Sequence, residues 1–300
     1  MSDPPNDQRL HDADIGPPGL GGSSAGTARL RDDDLPVRRI PSKRPPSVLV
    51  VGAVMAVSLF VLPLIALASN APWSSLGQIY TSPVALDALR ISAIASITAT
   101  LICVVLGVPL AFVLARTDFP GRRIVRALVV LPMVLPPVVG GTALLLAFGR
   151  RGMVGGPLYD ATGLLLPYSM WGVVLANVFV AMPFLVVTVY GALRALDRRP
   201  EAAAATLGAS EAYILRRITL PAIAPSVGAG VVLCWARALG EFGATVTFAG
   251  NLEGRTQTLP LAVFVTLGSD RDGAVAISLM LVAVSVTVLI ALRERWWGQL

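Results

Sequence analysis

Six stretches of this chain hold roughly 20 or more successive, mostly apolar positions: 48–68, 91–114, 127–148, 170–190, 222–248 and 274–292. A helix needs ~20 such residues to cross ~30 Å of hydrocarbon, and in lipid only helices and closed barrels satisfy their own backbone. The pattern predicts an all-α membrane protein with six transmembrane helices. The stretch 259–268 is as apolar but too short to cross, and reads as a re-entrant or interfacial element. Composition agrees, with 55% hydrophobic and 14% charged residues, whereas a soluble domain carries about 25% charged residues.

Net charge is +6. In a soluble protein that balance would suggest nucleic acid, but here the arginines cluster in short segments between apolar runs, where they set membrane orientation instead. With the N-terminus inside, fifteen lysines and arginines flank the spans on the inner side. Only Arg90, Arg150, Arg151, Arg255 and Arg271 fall outside. Both termini are therefore expected in the cytoplasm. Trp73 and Trp171 near the outer ends, and Trp296 and Trp297 at the inner end, suit interfacial anchors, whereas Trp235 lies mid-span. Residues 1–46 are polar and lack apolar periodicity, so they read as a disordered cytoplasmic tail ahead of a membrane domain at 47–300. The run VRRIPSKRPP before an apolar stretch ending in ALAS imitates a cleavable signal. That stretch is long enough to span, however, and further spans follow it.

The scarcity of reactive side chains excludes much chemistry. Lys43 is the chain's one lysine and sits in PSKRPP with no glycine beside it, so no phosphate-cradling loop with its lysine can form. The one histidine, His11, belongs to the tail, which leaves no partner for a serine or cysteine nucleophile. Cys103 and Cys234 lie inside apolar runs without metal-ligand spacing and read as small hydrophobes. No cofactor is expected on this chain. An ATP-driven role would need ATP and magnesium bound by another polypeptide.

Three segments carry functional signals. In 127–148, LPMVLPPVVGG places Pro132, Pro136 and Pro137 before Gly140 and Gly141. Such a helix must break, which lipid tolerates where the break packs on protein or lines a watery cavity; a plain kink and a pathway element both fit. In 222–248, Arg237 and Glu241 are the charges of the span interiors. A charge at helix centre costs ~2.5–3.5 kcal/mol on insertion scales, so the pair should face protein or a cavity, either guiding an anion together with Thr245 or joining helices. Arg150 and Arg151, against the charge trend, can attract an anion or simply be solvated. The third segment, 201–221, is EAAAATLGASEAYILRRITLP. It reads as an alanine-rich helix ended by Gly208, followed by a second amphipathic helix.

That third segment resembles the EAA loop of ABC-importer permeases, in which a Glu-Ala-Ala cluster precedes a glycine and, nine residues later, Ile-x-Leu-Pro; here Gly208 precedes Ile218, Leu220 and Pro221 at that spacing. Aligned on Gly208, Ala202 stands where the family has its glutamate, and Glu201 lies one residue earlier. The resemblance implies a coupling loop docked on an ATPase through Glu201, Ala202, Ala203, Gly208, Ala209 and Ser210. The segments 131–152, 236–251 and 256–264 are similar to the molybdate and tungstate permeases, with sulfate permeases the nearest relatives, and the similarity covers about 88–292. It implies a type I ABC-importer transmembrane domain in a prokaryotic inner membrane. It further implies a homodimer, two cytoplasmic ATPases, an external oxyanion-binding protein, and a pathway or gate that includes Pro136, Pro137, Arg237, Glu241 and Thr245. A gradient-driven secondary transporter with Glu241 as proton site is the competing reading, and gives the 201–221 loop no purpose.

Overall fold

A computed structural model describes residues 46–297. The tail expected over 1–46, with His11, Arg38, Arg39, Lys43 and Arg44, lies outside the described residues but for Pro46, as do the side chains of Arg293, Arg295, Trp296 and Trp297. The chain divides into two units at Met55 and Ala56. Of the first, the described part is the opening of helix α1 (Ser47–Ser69), none of whose residues is buried. The second unit holds the remaining helices.

All regular structure among the described residues is helical. After α1 come α2 (Leu76–Tyr80), α3 (Pro83–Arg116), α4 (Arg122–Val134), α5 (Pro137–Phe148), α6 (Gly155–Thr162), α7 (Met170–Ala195), α8 (Arg199–Thr206) and α9 (Glu211–Ile214). A π-helical turn (Leu215–Thr219) leads into α10 (Leu220–Leu239), α11 (Gly243–Phe248), α12 (Leu259–Leu267) and α13 (Arg271–Trp297). Five helical segments are long and apolar enough to cross a membrane, and a sixth exists if α4 and α5 count as one broken span.

The core of the second unit is α3 packed on α7, with α10 against both. Along α3 most buried positions are small: Ala85, Ala88, Ser92, Ala95, Ser96, Ala99, Thr100, Cys103, Gly107 and Ala111 recur at helical spacing, with Ile91 and Leu114 the large exceptions. In lipid no hydrophobic force draws helices together, so close backbone approach and dispersion must do it, and small residues permit that approach. On the facing helix Val173, Ala181, Leu185 and Val189 fill the seam. The start of α3 is fixed locally, since Ser82 Oγ accepts the Ala85 N–H and Pro83 occupies the first turn.

The span over 127–148 breaks, as its prolines predict, and the span read as one helix over 222–248 is interrupted as well. Between α4 and α5 the axis turns by 120°. Leu135 and Pro136 are extended there, with ψ of 137° and 133°, because a residue preceding proline is driven out of the α region and proline donates no hydrogen bond. In the second case α10 stops at Leu239 and α11 begins at Gly243. The two breaks meet: a Cβ built on Gly243 would lie 2.6 Å from the Pro137 Cβ, and one on Gly141 would lie 2.7 Å from the Thr247 Cβ and 2.9 Å from the Ala244 carbonyl oxygen. Thus α5 and α11 touch backbone to backbone. The segment expected to be too short to cross forms α12, nine residues long, joined to α3 by the Ser92 hydroxyl, which accepts the Leu259 N–H at 2.7 Å.

Gly141→Val should force α5 off α11 and destabilise the fold by about 1–3 kcal/mol. The expected readout is a melting temperature of the detergent-purified protein several degrees below wild type. Gly191→Ala, inside α7 and with nothing within 4 Å of the added Cβ, should not lower it and by helix propensity should raise it slightly.

Candidate functional site

Two clusters hold the residues singled out by sequence. The first is the loop 201–221. Helix α8 ends at Thr206, Leu207 caps it, and Gly208 follows with φ of +84°, a left-handed conformation that glycine adopts without Cβ strain. Ser210 then caps α9, its Oγ accepting the Tyr213 N–H at 3.3 Å. Ala202, Ala203, Gly208 and Ser210 are exposed or partly exposed, and Ala209 is half-buried. The second amphipathic helix runs without interruption into α10 through the π-helical turn.

Glu201 faces elsewhere. Its Oε1 accepts hydrogen bonds from Arg116 Nη2 at 2.9 Å and from Thr219 Oγ1 at 2.7 Å, so the carboxylate is turned into the fold while the alanines beside it look outward. Local spacing could not reveal this, since the partners lie 85 residues back and 18 residues on. Sequence reasoning also passed over Leu207, whose side chain is 88% exposed at the tip of the loop, and Tyr213, half-exposed beside it. A large apolar residue held out on a capped helix end, with alanines alongside, is suited to entering a pocket on another protein.

The second cluster lies at the paired helix breaks. Arg237 is in the last turn of α10. Glu241 lies beyond that helix, and its Oε1 accepts the Ala244 N–H at 2.8 Å, capping the start of α11. Its Oε2 is 2.6 Å from Arg237 Nη1. That contact is a close ion pair without hydrogen-bond alignment, so Oε2 has no hydrogen-bond partner. The Glu241 side chain is 1% exposed and that of Arg237 28% exposed. The pair therefore survives the break in the helix, with the acid sealed in and the arginine side chain partly exposed. Thr245, one turn on, is fully buried and its hydroxyl is unpartnered. Pro137 touches Gly243 within this cluster, with Pro136 beside it. Phe242, in the break itself, packs on Phe264 of α12 with ring centroids 5.1 Å apart, a neighbour that sequence spacing could not reveal. Of the other two candidate arginines, Arg150 stacks on the Tyr159 ring at 4.7 Å and Arg151 is exposed. Among the described residues no group of three or more His, Cys, Asp or Glu side chains could hold a metal ion.

Known proteins share both the sequence and the fold. Residues 107–295 match the family described as binding-protein-dependent transport system inner membrane component. The chain is 44% identical over 243 residues to the molybdenum transport system permease protein ModB of Mycobacterium tuberculosis, covering 81% of this chain and 92% of that one. It is 37% identical over 214 residues to the ModB of Escherichia coli, covering 71% and 93% respectively. A solved bacterial ABC transporter involved in the import of the acidic polysaccharide alginate shares the fold, with a TM-score of 0.70 at 17% identity, covering 84% of this chain and 94% of that one.

Removing one member of a buried ion pair strands the other. Arg237→Leu should therefore destabilise the protein by about 1–3 kcal/mol, less than the ~3–5 kcal/mol of a fully buried pair because the arginine is partly exposed. Adding Glu241→Gln, which keeps an acceptor for the Ala244 N–H without the charge, should recover most of that loss. Thermal melts of both variants in detergent check this.

Proposed function

Because the chain belongs to the binding-protein-dependent transport system inner membrane components, we propose that it is the membrane-spanning permease of an ATP-driven importer for molybdate. The working unit is a homodimer in a prokaryotic inner membrane, with both termini in the cytoplasm. Two ATPase subunits, which carry the ATP and magnesium, sit beneath it, and an external binding protein delivers the oxyanion. The observation that carries the reading is the exposed loop around Gly208, with its outward alanines and Leu207. A protein that neither binds a second polypeptide there nor responds to it has no use for such a surface. Tungstate and sulfate, also tetrahedral dianions, are the nearest alternatives for the cargo, and the similarity to molybdenum permeases favours molybdate.

Transport is then a matter of mechanical coupling. Closure of the ATPases pushes on α8, the bundles rotate, and the path opens outward; hydrolysis reverses the movement. At the paired breaks the ion meets the exposed side of the Arg237 guanidinium. Glu241 already balances that charge, so the site attracts a dianion without holding it firmly, which suits passage more than storage. The helix break at Pro136 and Pro137, the buried Thr245 and the Phe242–Phe264 contact supply the parts of a gate that can reshape without unwinding a whole helix.

Two variants of the complex reconstituted in vesicles test this reading. Leu207→Asp should abolish retention of the ATPase on purification and lower molybdate uptake at least about tenfold; Gly208→Trp should do the same. Uptake intact in both would overturn the coupling assignment. Arg237→Leu/Glu241→Gln, which keeps the fold, should leave the ATPase bound but reduce uptake about tenfold, as expected for one lost charge-assisted contact. Competition by unlabelled sulfate and tungstate ranks the cargo, and stronger displacement by sulfate than by molybdate would reassign it.

A further inference from the structure

We infer that Arg116, Glu201 and Thr219 form a tie that makes α8 and the adjoining ends of α3 and α10 move as one body, and so sets how many ATP molecules are hydrolysed per ion moved. The inference rests on the reading of 201–221 as the ATPase-docking loop.

A single carboxylate oxygen, Glu201 Oε1, is shared by the guanidinium of Arg116 in the last turn of α3 and the hydroxyl of Thr219 at the end of the π-helical turn. The site is largely closed to solvent, with Thr219 buried and the other two side chains mostly covered. The rest of α8 offers its alanines and Leu207 to the outside, and its packing within the chain is on α9 and the π-helical turn. The tie is a direct side-chain link from α8 to α3. In so covered an ion pair the cost of desolvating both charges offsets much of the Coulombic gain, so its net contribution to stability is small. Its effect here is geometric, because a carboxylate bridging two partners on different elements fixes all three in position.

The same end of α3 is also bound to α4. Leu114 and Ala115 carbonyls, which lack partners within the helix at its C-terminus, accept from Arg122 Nε at 2.9 Å and Nη2 at 3.5 Å, and the Leu114 carbonyl also accepts from Arg126 Nη2 at 3.3 Å. Arginines at the start of α4 would oppose the dipole of their own helix; reaching back to the negative end of α3 they are favourable. A displacement of α8 is therefore delivered to α3 and through it to α4, the helix that leads into the proline break. Without the Glu201 link, α8 can follow the ATPase while the span ends stay behind. Arg116, Glu201 and Thr219 act as positioning residues, since none of them needs to touch the ion or ATP.

The test uses the full permease reconstituted with its ATPase and binding protein, and reads ATPase retention, ATP hydrolysis and labelled molybdate uptake in the same vesicles. Arg116→Gln and Glu201→Gln should each retain the ATPase and keep hydrolysing ATP, while ATP consumed per molybdate rises at least about threefold; the double variant should be no worse than the more affected single one, because the pair acts as one unit. Thr219→Val, which preserves shape, should raise the ratio to a lesser extent and covers the case in which the charge variants do not assemble. An unchanged ratio in the assembled variants, or single effects that multiply in the double variant, would overturn the tie. Gly208→Trp separates the two readings. Loss of ATPase retention in Gly208→Trp with a normal ratio in the tie variants sinks the tie alone, whereas uptake intact in Gly208→Trp sinks the docking loop beneath it.

Discussion

Every backbone amide and carbonyl within hydrocarbon must find its partner inside the protein, and the arrangement of this chain is shaped by where its helices break that rule. Two of its predicted spans cannot be continuous helices. In one, Pro136 and Pro137 remove successive donors; in the other, the helix ends at Leu239 and restarts at Gly243. Each break exposes backbone groups that lipid would not tolerate. The molecule brings the two together, with Gly141 and Gly243 allowing α5 and α11 to approach at backbone distance, and Glu241 supplying an acceptor to the restarted helix. A carboxylate in such a place needs a counter-charge, and Arg237 supplies it. This buried charge pair is thus a by-product of folding two interrupted helices against each other.

Around that point the rest is scaffold. The small-residue seam of α3 lets α7 and α10 pack closely. Close packing in the middle of the bundle contrasts with the helix breaks at Leu135–Pro136 and Gly240–Phe242, where the backbone leaves the helical path.

How much of this was legible in the sequence depended on the range over which the physics acts. Hydrophobic run length located the spans, because bilayer thickness is a constraint each helix meets alone. Gly208 was readable as a helix end for the same local reason. The proline run announced a break, but not its angle or its partner, since these depend on glycines a hundred residues away. Arg237 and Glu241, four residues apart, form an ion pair although the helix ends between them. At Glu201 a linear reading falls shortest. Grouped by position with its alanine neighbours, it points the other way, because Arg116 and Thr219 outweigh the neighbourhood that a linear motif suggests. Leu207 was missed because an exposed leucine and a buried one look alike in a string of letters.

The π-helical turn has a consequence for how the chain is wound. A π turn holds one residue more than the α turn it replaces, and each residue of an α-helix advances the side chains by about 100°. Rewinding Leu215–Thr219 as α-helix would swing Thr219 away from Glu201 by about that angle or twist everything beyond it by as much. The segment is therefore a rotary stop. The phase of a whole membrane-crossing helix is held in one surplus residue, and the hydroxyl of Thr219 is the pawl that keeps it from slipping.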